Sequence, residues 1–434
     1  MKKIAIFALC LMPYAFDAQA LDLSFDDAIS RIAAESHDLK KADANLKKSQ
    51  AALDSANANR WFKLDGSATY MNTINVEKPG QPMAIAMPGG LGGLPIPPID
   101  FQIPDNILMA GVTASQPIYT FGKIGNAVDS VRSAIKMSEA GKELARREVK
   151  YAAANLYWTA KMTDGLVEIS KKSLNNAIAA RKSLGAAGRA SRSNLIKIEA
   201  DIATKEINLS DAEFNRDTAH RMLKILAGID TAEPLNLTDE IPGSFPELSA
   251  GKISGNPEWD MLDQQVRHYE SLASSKRSGG YPTLAATASY NYIATHTDYN
   301  VFNGNKTQAA YWGLSLQVPI FNGGLDRANA TIEAMNAEAA RNDLDKSKKL
   351  KTEEYDTAVL KYNHLRGNLD NLENARGLAE KTYSISKDRF AAGQTSAVEL
   401  SDVSASLAQL DMALLNAKYN LLMSAESVKK LGGE

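Results

Sequence analysis

Most features of this sequence occur twice in the same order, and that internal duplication limits the possible folds more than any other property. Residues 36–70 align with residues 256–290 without a gap. Farther along, Gly188 aligns with Gly393, and similar apolar positions follow each glycine. Both copies predict a helix, a strand, a loop, a strand, a very long helix, a break and a helix. We therefore expect two copies of one structural unit.

The chain begins with the pattern of a secretory leader. Lys2 and Lys3 precede a short apolar run, and Ala18 and Ala20 fit a cleavage site after residue 20. The apolar run is shorter than the roughly 20 residues that a membrane-spanning helix needs. The predicted organisation is a leader, a first repeat, a linker and a second repeat, over residues 1–20, 21–228, 229–255 and 256–434.

Four segments alternate apolar and polar side chains with the period of two that is typical of β-strands. The clearest alternates Trp312, Leu314 and Leu316 with Gly313 and Ser315. A soluble sheet with one wet face would show the same pattern, but aromatic residues cluster at the strand ends, as at the interfaces of membrane barrels. The other three strands are predicted over residues 62–70, 108–115 and 283–292.

No apolar run after the leader is long enough for a membrane helix, so a membrane crossing would have to use these strands. Four strands are too few to close a membrane barrel, because the smallest forms have about eight. Unpaired strand edges are not tolerated in lipid. Each chain would therefore supply one part of a barrel shared by at least two copies.

The helical segments predict long coiled coils. From Leu400 the apolar positions advance in steps of three and four residues, which is a heptad pattern. Residues 124–184 contain no proline, and a continuous helix of this length would extend about 90 Å. The fold class expected from the residues is mainly α, with a β portion of four strands.

We find no residue pattern for a catalytic, cofactor-binding or metal-binding site, and we expect no enzyme activity and no cofactor. The only cysteine, Cys10, lies in the predicted leader, which excludes thiol chemistry in the mature chain. The five histidines are scattered without a metal-binding spacing. The formal net charge of −2 is near balance, which argues against a nucleic-acid partner.

Two classes of protein remain open from the residues alone. The first is a membrane channel built from several copies. The alternative is a structural trimeric coiled-coil protein of the cell surface that transports nothing. This alternative would need the heptads but not four amphipathic strands.

Two predicted turns between a strand and a helix have similar sequences. Residues 318–324 read Val-Pro-Ile-Phe-Asn-Gly-Gly, and the first-copy counterpart at residues 116–123 reads Gln-Pro-Ile-Tyr-Thr-Phe-Gly-Lys. Both turns resemble those of the TolC-like outer-membrane efflux protein family. Residues 389–393 and 417–422 resemble the family's final helix pair. The resemblance covers nearly all of residues 21–433. The turn residues that carry it are Pro117, Gly122, Pro319, Gly323 and Gly324.

The resemblance implies a homotrimer in the outer membrane of a Gram-negative bacterium. Each chain would contribute a duplicated helix-strand-strand-helix repeat. Twelve strands would form one transmembrane barrel in outer-membrane lipid, continuous with a long coiled-coil α-barrel that crosses the periplasm. A periplasmic adaptor and an inner-membrane pump of the RND or ABC class would dock at the far end, and the linker would join the repeats at the equator. The implied function is drug or small-molecule efflux, or type I protein secretion.

The resemblance also implies that the helix breaks at Gly188 and Gly393 are the adaptor-docking ends. Family members carry acidic residues just after the second break, and Glu399 and Asp402 match these positions. The first-copy position that matches Glu399 is Asn194, so one acid of the family pattern is absent. We expect Glu399, Asp402 and Asn194 to line the periplasmic constriction.

Glu399 also fits a local role. With Ser396 as the N-cap, Glu399 would be the third residue of the helix and complete a capping box. This role is compatible with a place in the constriction. The family's tyrosine and basic residue near the second break are replaced by Phe390 and Thr395, so the usual link between helices cannot form in the usual way.

Residues 79–104 predict an extracellular loop. This segment holds seven of the chain's fifteen prolines, which bars a regular strand ladder. It also carries several large apolar residues, which rarely lie exposed without a role. We expect either a lid over the barrel mouth or a disordered insertion.

Overall fold

The computed structural model describes residues 20–72, 106–186, 192–249, 251–253, 255–296 and 304–432. Three predictions lie outside the described residues. They are the leader up to residue 19, the extracellular loop over residues 79–104, and the break glycine Gly188.

Helices make up most of the described chain, and the long elements occur twice in the same order, as the duplication predicted. The elements are β1 (Leu21–Leu23), α1 (Phe25–Glu35), α2 (His37–Ala58), β2 (Lys63–Asn72), β3 (Asn106–Tyr119), α3 (Lys123–Ala186), α4 (Arg192–Leu226), β4 (Leu235–Leu237), α5 (Pro257–Arg277), β5 (Thr283–His296), β6 (Asn305–Gln317), α6 (Leu325–Ala391) and α7 (Ala397–Gly432). Within the described residues, no helix combines the length and apolarity that a membrane crossing requires.

The first repeat opens with two helices, where the sequence pattern predicted one. Ser36 lies between them with a backbone outside the helical region, at φ −56° and ψ 119°. Its hydroxyl accepts the backbone N–H of Leu39 at 3.3 Å, which caps the start of α2. Serine at this position therefore ends one helix and begins the next.

The chain divides into two compact units. Among the described residues, the first takes those within 1–47, 137–263 and 342–434, and the second takes those within 48–136 and 264–341. Each unit contains parts of both repeats. The repeat boundaries predicted from the sequence therefore describe the duplication and do not correspond to separate compact bodies.

The second unit contains one sheet of four antiparallel strands in the order β2-β3-β5-β6. The register aligns the predicted apolar faces: one row across the sheet runs Leu64, Ala114, Ala288 and Trp312. The observed strands extend beyond the predicted segments, and β3 and β5 each have 14 residues. Within the part of the chain that the structure describes, β2 and β6 each have a paired neighbour on one side only.

The first unit has its core around a short parallel pair of strands. Leu21 of β1 pairs with Leu235 of β4, and Leu23, Tyr157 and Leu223 are almost fully buried beside them. The Tyr157 hydroxyl donates to the Asp239 carboxylate at 2.8 Å. This core joins the first residues after the predicted cleavage site to the predicted linker.

The linker is also tied to the second repeat within the first unit. The hydroxyl of Tyr362, on α6, donates to the carbonyl of Pro246 at 2.7 Å. The amide side chain of Asn363 donates to the Leu248 carbonyl at 2.7 Å and accepts the Leu248 backbone N–H at 3.2 Å. The linker therefore contacts α3 of one repeat and α6 of the other.

Ion pairs join the long helices in the first unit. Arg376 of α6 contacts Asp411 of α7 at 2.8 Å, and Lys172 of α3 approaches the same carboxylate at 4.0 Å.

Gly165 of α3 faces α7 so closely that a Cβ there would lie 2.8 Å from a methyl group of Leu415. The absence of a side chain at this glycine permits the close approach of α3 and α7.

Candidate functional site

The first strand-to-helix turn needs a glycine. β3 ends at Tyr119 and α3 begins at Lys123, and between them Phe121 and Gly122 have positive φ values of 49° and 87°. The Gly122 carbonyl accepts the N–H of Asn126 at 2.8 Å, which starts the helix. A side chain at Gly122 would be strained in this conformation and would lie 3.2 Å from the Asn126 amide.

The prolines of both turns lie where a strand loses regular pairing. Pro117 is near the end of β3, and the register of β3 against β5 shifts between Pro117 and Tyr119. Pro319 follows shortly after the last residue of β6, Gln317. Because proline cannot donate to a strand ladder, both positions are suited to ending one.

The second turn uses two glycines in succession. Gly323 and Gly324 have φ values of 66° and 81°, and the Gly324 carbonyl accepts the N–H of Ala328 at 3.0 Å as α6 begins. Ile320 and Phe321 are 95% and 88% exposed on the way into this turn. Two large apolar side chains so fully exposed indicate a surface that is covered by lipid or by another chain.

The second helix break is closed by local hydrogen bonds. Gly393 has a φ of 76°, and the N–H of Gln394 reaches back to the Arg389 carbonyl at 2.8 Å. This is the Schellman pattern that ends a helix at a glycine. α7 then begins at Ala397, so the break occupies only a few residues.

Ser396 is the N-cap of α7, which is one half of the predicted capping box. Its hydroxyl accepts the backbone N–H of Glu399 at 3.2 Å. The Glu399 carboxylate accepts a hydrogen bond from the hydroxyl of Thr395. The cap therefore holds Glu399 in the first turn of α7, with an exposed carboxylate.

The N-terminal turns of α4 and α7 lie together. Ile198 of α4 and both Ala397 and Leu400 of α7 line one small cavity, and all three are buried. Asn194, one turn before Ile198, is half-buried, whereas Asp402 is exposed. The predicted constriction residues thus occur at neighbouring helix ends.

The polar face of the sheet carries hydrogen bonds between strands that the sequence alone did not reveal. The hydroxyls of Thr113 and Ser289 lie 3.0 Å apart across β3 and β5, and the Asn291 amide donates to Ser289 at 3.0 Å. Lys63 and Asp65 belong to the same face through the register of β2 against β3. Alternation predicted this face, but only the register shows which polar groups meet.

A family model described as "Outer membrane efflux protein" matches residues 28–228 and 253–434. The "Proteases secretion protein PrtF" of Dickeya chrysanthemi is 24% identical over 193 residues, which is 42% of this chain and 40% of that protein. The chain therefore matches about two-fifths of that relative's length.

Solved structures with the same fold cover nearly the whole chain. The CmeC outer membrane channel of Campylobacter jejuni superposes with a TM-score of 0.75 at 20% identity, covering 94% of this chain and 86% of CmeC. The outer membrane protein VceC of Vibrio cholerae gives a TM-score of 0.75 at 19% identity, covering 94% of this chain and 96% of VceC. At this level of identity the similarity establishes the fold.

Proposed function

Because this chain belongs to the outer membrane efflux protein family, we propose that it is the outer-membrane channel subunit of a tripartite export system in a Gram-negative bacterium. Three copies form one duct across the outer membrane that extends into the periplasm. A periplasmic adaptor and an inner-membrane pump of the RND or ABC class complete the system. The chain itself acts as a conduit, without enzyme activity or a cofactor.

The open apolar sheet is the observation that carries this proposal. Leu64, Trp312 and Leu314 are 64%, 85% and 68% exposed on one face, and the outer edges of β2 and β6 lack a partner within the described sheet. An apolar face suits lipid, but an open edge does not, because unpaired backbone groups are costly there. Four strands from each of three copies, twelve in all, would remove every edge.

Exposed apolar side chains on two helices of the first unit also support assembly from several copies. On α4, Ile207 and Phe214 are 62% and 71% exposed, and on α6, Leu360 and Leu378 are 71% and 65% exposed. Large apolar groups repeated along a helix face usually pack against another helix. A neighbouring copy provides such a helix. The coiled-coil fibre would explain these faces, but not the sheet.

We propose that the periplasmic end of the duct, where the adaptor docks, lies at the predicted break around Gly188 and at the break at Gly393. Glu399, Asp402 and Asn194 line the constriction there. The support is the pairing of the α4 and α7 starts and the exposure of the two acids.

The first test is the oligomeric state. Protein extracted from outer membranes should have the mass of three chains, and it should form ion-conducting pores in planar bilayers. A protein that stays soluble without detergent, or that purifies as a monomer or dimer, would refute the proposal.

A matched pair of variants tests the sheet directly. Leu314→Lys places a charge on the apolar face and should strongly reduce the amount of trimer in the outer membrane, because a lysine in mid-bilayer costs about 2–4 kcal/mol. Ser315→Lys, on the adjacent residue and the opposite face, should leave the amount unchanged. Equal effects would show that the apolar face does not contact lipid.

The transported material is either small molecules or proteins. The match to a protease secretion protein supports protein secretion, and the fold shared with channels such as CmeC leaves efflux equally open. Deleting the gene and measuring both secreted proteins and sensitivity to toxic compounds separates the two. Loss of an extracellular protein without a change in sensitivity would identify a secretion duct.

A further inference from the structure

Charged residues are scarce on the four strands of the sheet. Among the described residues of β2, β3, β5 and β6, three carry a full charge: Lys63, Asp65 and Lys306. Lys63 and Asp65 are two residues apart on β2, so they lie on the same face. Lys306 is near the opposite end of the sheet and on the other face.

The register identifies the face that carries Lys63 and Asp65. Asp65 pairs with Thr113, which pairs with Ser289, which pairs with Tyr311. The hydrogen bond between Thr113 and Ser289, at 3.0 Å, places these side chains on one side of the sheet. A belt of polar groups therefore crosses the sheet, with Asp65 at the β2 end of the belt.

The opposite face is apolar in the row beside this belt. It carries Leu64 and Trp312, both strongly exposed. A charge on that face would have to enter lipid, which is costly. Lys306, the second residue of β6, avoids this cost because its long stem allows the ammonium group to reach the lipid headgroups.

We propose that Lys63 and Asp65 line the water-filled lumen of the barrel and together set its charge preference. The inference rests on the proposed trimeric channel. Three copies place a ring of carboxylates about 7 Å from a ring of ammonium groups along the pore. The two rings carry opposite charges, so the loss of either ring should shift the charge preference at this level of the lumen.

The same two residues also suit a different role. β2 is an edge strand, and charged side chains on an edge can prevent unwanted pairing with other chains. That role requires no lumen and predicts no effect on the local electrostatic potential inside a pore. The local electrostatic potential inside the pore separates the two roles.

A single introduced thiol can report the local potential. The chain's only cysteine, Cys10, is in the predicted leader, so Ser67→Cys gives the mature chain one thiol, two residues from Asp65 on the same face. Purified trimers would be treated at low ionic strength with a cationic and, separately, an anionic methanethiosulfonate. Low salt is needed because the screening length at 0.01 M is about 30 Å.

Removing the two charges should have opposite effects. In the Ser67→Cys background, Asp65→Asn should slow the cationic reagent and accelerate the anionic one, each about threefold for one charge at this distance in water. Lys63→Gln should shift both rates in the opposite direction: it should accelerate the cationic reagent and slow the anionic one. Lys306→Gln, on the lipid face, is the matched control and should alter neither rate.

Bilayer recordings supply a second measurement on the same variants. Under a salt gradient, the reversal potential should shift toward anion selectivity in Asp65→Asn and toward cation selectivity in Lys63→Gln. Two results with conducting trimers would overturn the inference alone. In the first, both variants keep the parent rates and reversal potential. In the second, the introduced thiol does not react. A chain that forms no conducting trimer overturns the proposed function as well.

Discussion

At the scale of single residues, Glu399 has an observed place in a helix cap and a proposed place in the constriction, and experiments can separate the two. Its backbone N–H is part of the cap made by Ser396, and its carboxylate is exposed at the start of α7. The cap could be predicted because a capping box is a local pattern of four residues, whereas the place in the constriction was implied only by the family resemblance. The bond from Thr395 to the carboxylate could not be predicted, because it depends on the path of the chain through the break.

We predict that Glu399→Gln, combined with Asp402→Asn, reduces the cation selectivity of the reconstituted channel with little loss of stability. The amide keeps the size of Glu399 and can still accept the Thr395 hydrogen bond, whereas the charge is lost. Ser396→Ala should do the reverse: it should lower stability by about 1 kcal/mol and leave selectivity unchanged. Salt-gradient reversal potentials and thermal unfolding measure the two effects. If selectivity is the same in all variants, the two acids do not line a constriction.

Tyr157 gives the first unit a dependence on alkaline pH. Burial, with the neighbouring Asp239 carboxylate, raises the pKa of Tyr157 to about 12 from its ordinary value near 10. The folded state thus favours the neutral phenol, whose hydroxyl donates to Asp239 at 2.8 Å and accepts the Asp239 backbone N–H at 3.2 Å. This contribution to stability is complete below pH 10 and is lost as the pH rises through 12.

We therefore expect Tyr157→Phe to lower the free energy of unfolding by about 1–3 kcal/mol at neutral pH. The reason is that the carboxylate and the backbone N–H of Asp239 lose their hydrogen bonds with the Tyr157 hydroxyl. The difference from wild type should shrink between pH 10 and pH 12. Chemical unfolding followed by circular dichroism at several pH values measures it. Tyr311→Phe, at a residue that is 59% exposed, is the control and should show neither effect. A difference that stays constant with pH would rule out this account.

At the scale of secondary-structure elements, the strand-to-helix turns test how much the chain depends on glycine. Gly122→Ala should destabilise the protein by about 1–2 kcal/mol, because an L-residue is strained in the left-handed conformation. Gly125→Ala, in the first turn of α3 where a Cβ meets nothing within 4 Å, should stabilise it by about 0.5 kcal/mol. Thermal unfolding of the detergent-extracted protein measures both. Changes of the same sign would refute the assigned turn conformation.

The long elements were predictable because their signals are local and repeated. Residues 124–184 lack proline, and α3 runs from Lys123 to Ala186 without a break. β1 and β4 were not predicted, because a strand of three residues is too short to show the alternation of apolar and polar side chains. Their pairing also joins segments about 214 residues apart, as in the contact between Asp22 and Asn236, which no local pattern reports.

The face shared by Lys63 and Asp65 shows the same limit for the site. Alternation on β2 predicts that both residues lie on its polar side. Their relation to Thr113 and Ser289 depends on how three strands align, and a shift of one residue would reverse the faces. That alignment is set by contacts between distant segments, so the polar belt could not be located from the sequence.

At the scale of the whole molecule, the exposed helix faces predict that contacts between copies contribute to the stability of the trimer. Phe214 is 71% exposed in the single chain, and an exposed position usually tolerates substitution within about 0.5 kcal/mol. Phe214→Ala should nevertheless weaken the trimer by about 1.5–3 kcal/mol for each copy, if a neighbouring chain buries the ring. Thermal stability of the trimer and its dissociation on dilution report this cost.

The control for Phe214 lies on the same helix. Glu206 is exposed and charged, and Glu206→Ala should leave the trimer as stable as wild type. Identical behaviour of the two variants would place Phe214 outside any contact between copies, and α4 would then need another role for its apolar side chains.

The parallel pair β1–β4 also sets an order in time. Leu21, the first residue after the predicted cleavage site, pairs with Leu235, which lies about half-way along the 434-residue chain. If the predicted leader directs export, the chain emerges N-terminus first and cannot close this core until β4 has followed it across the inner membrane. Contacts between distant segments form late because the intervening chain must first be brought together. During that interval the N-terminal residues remain unprotected, within reach of chaperones that would rescue the chain and proteases that would destroy it.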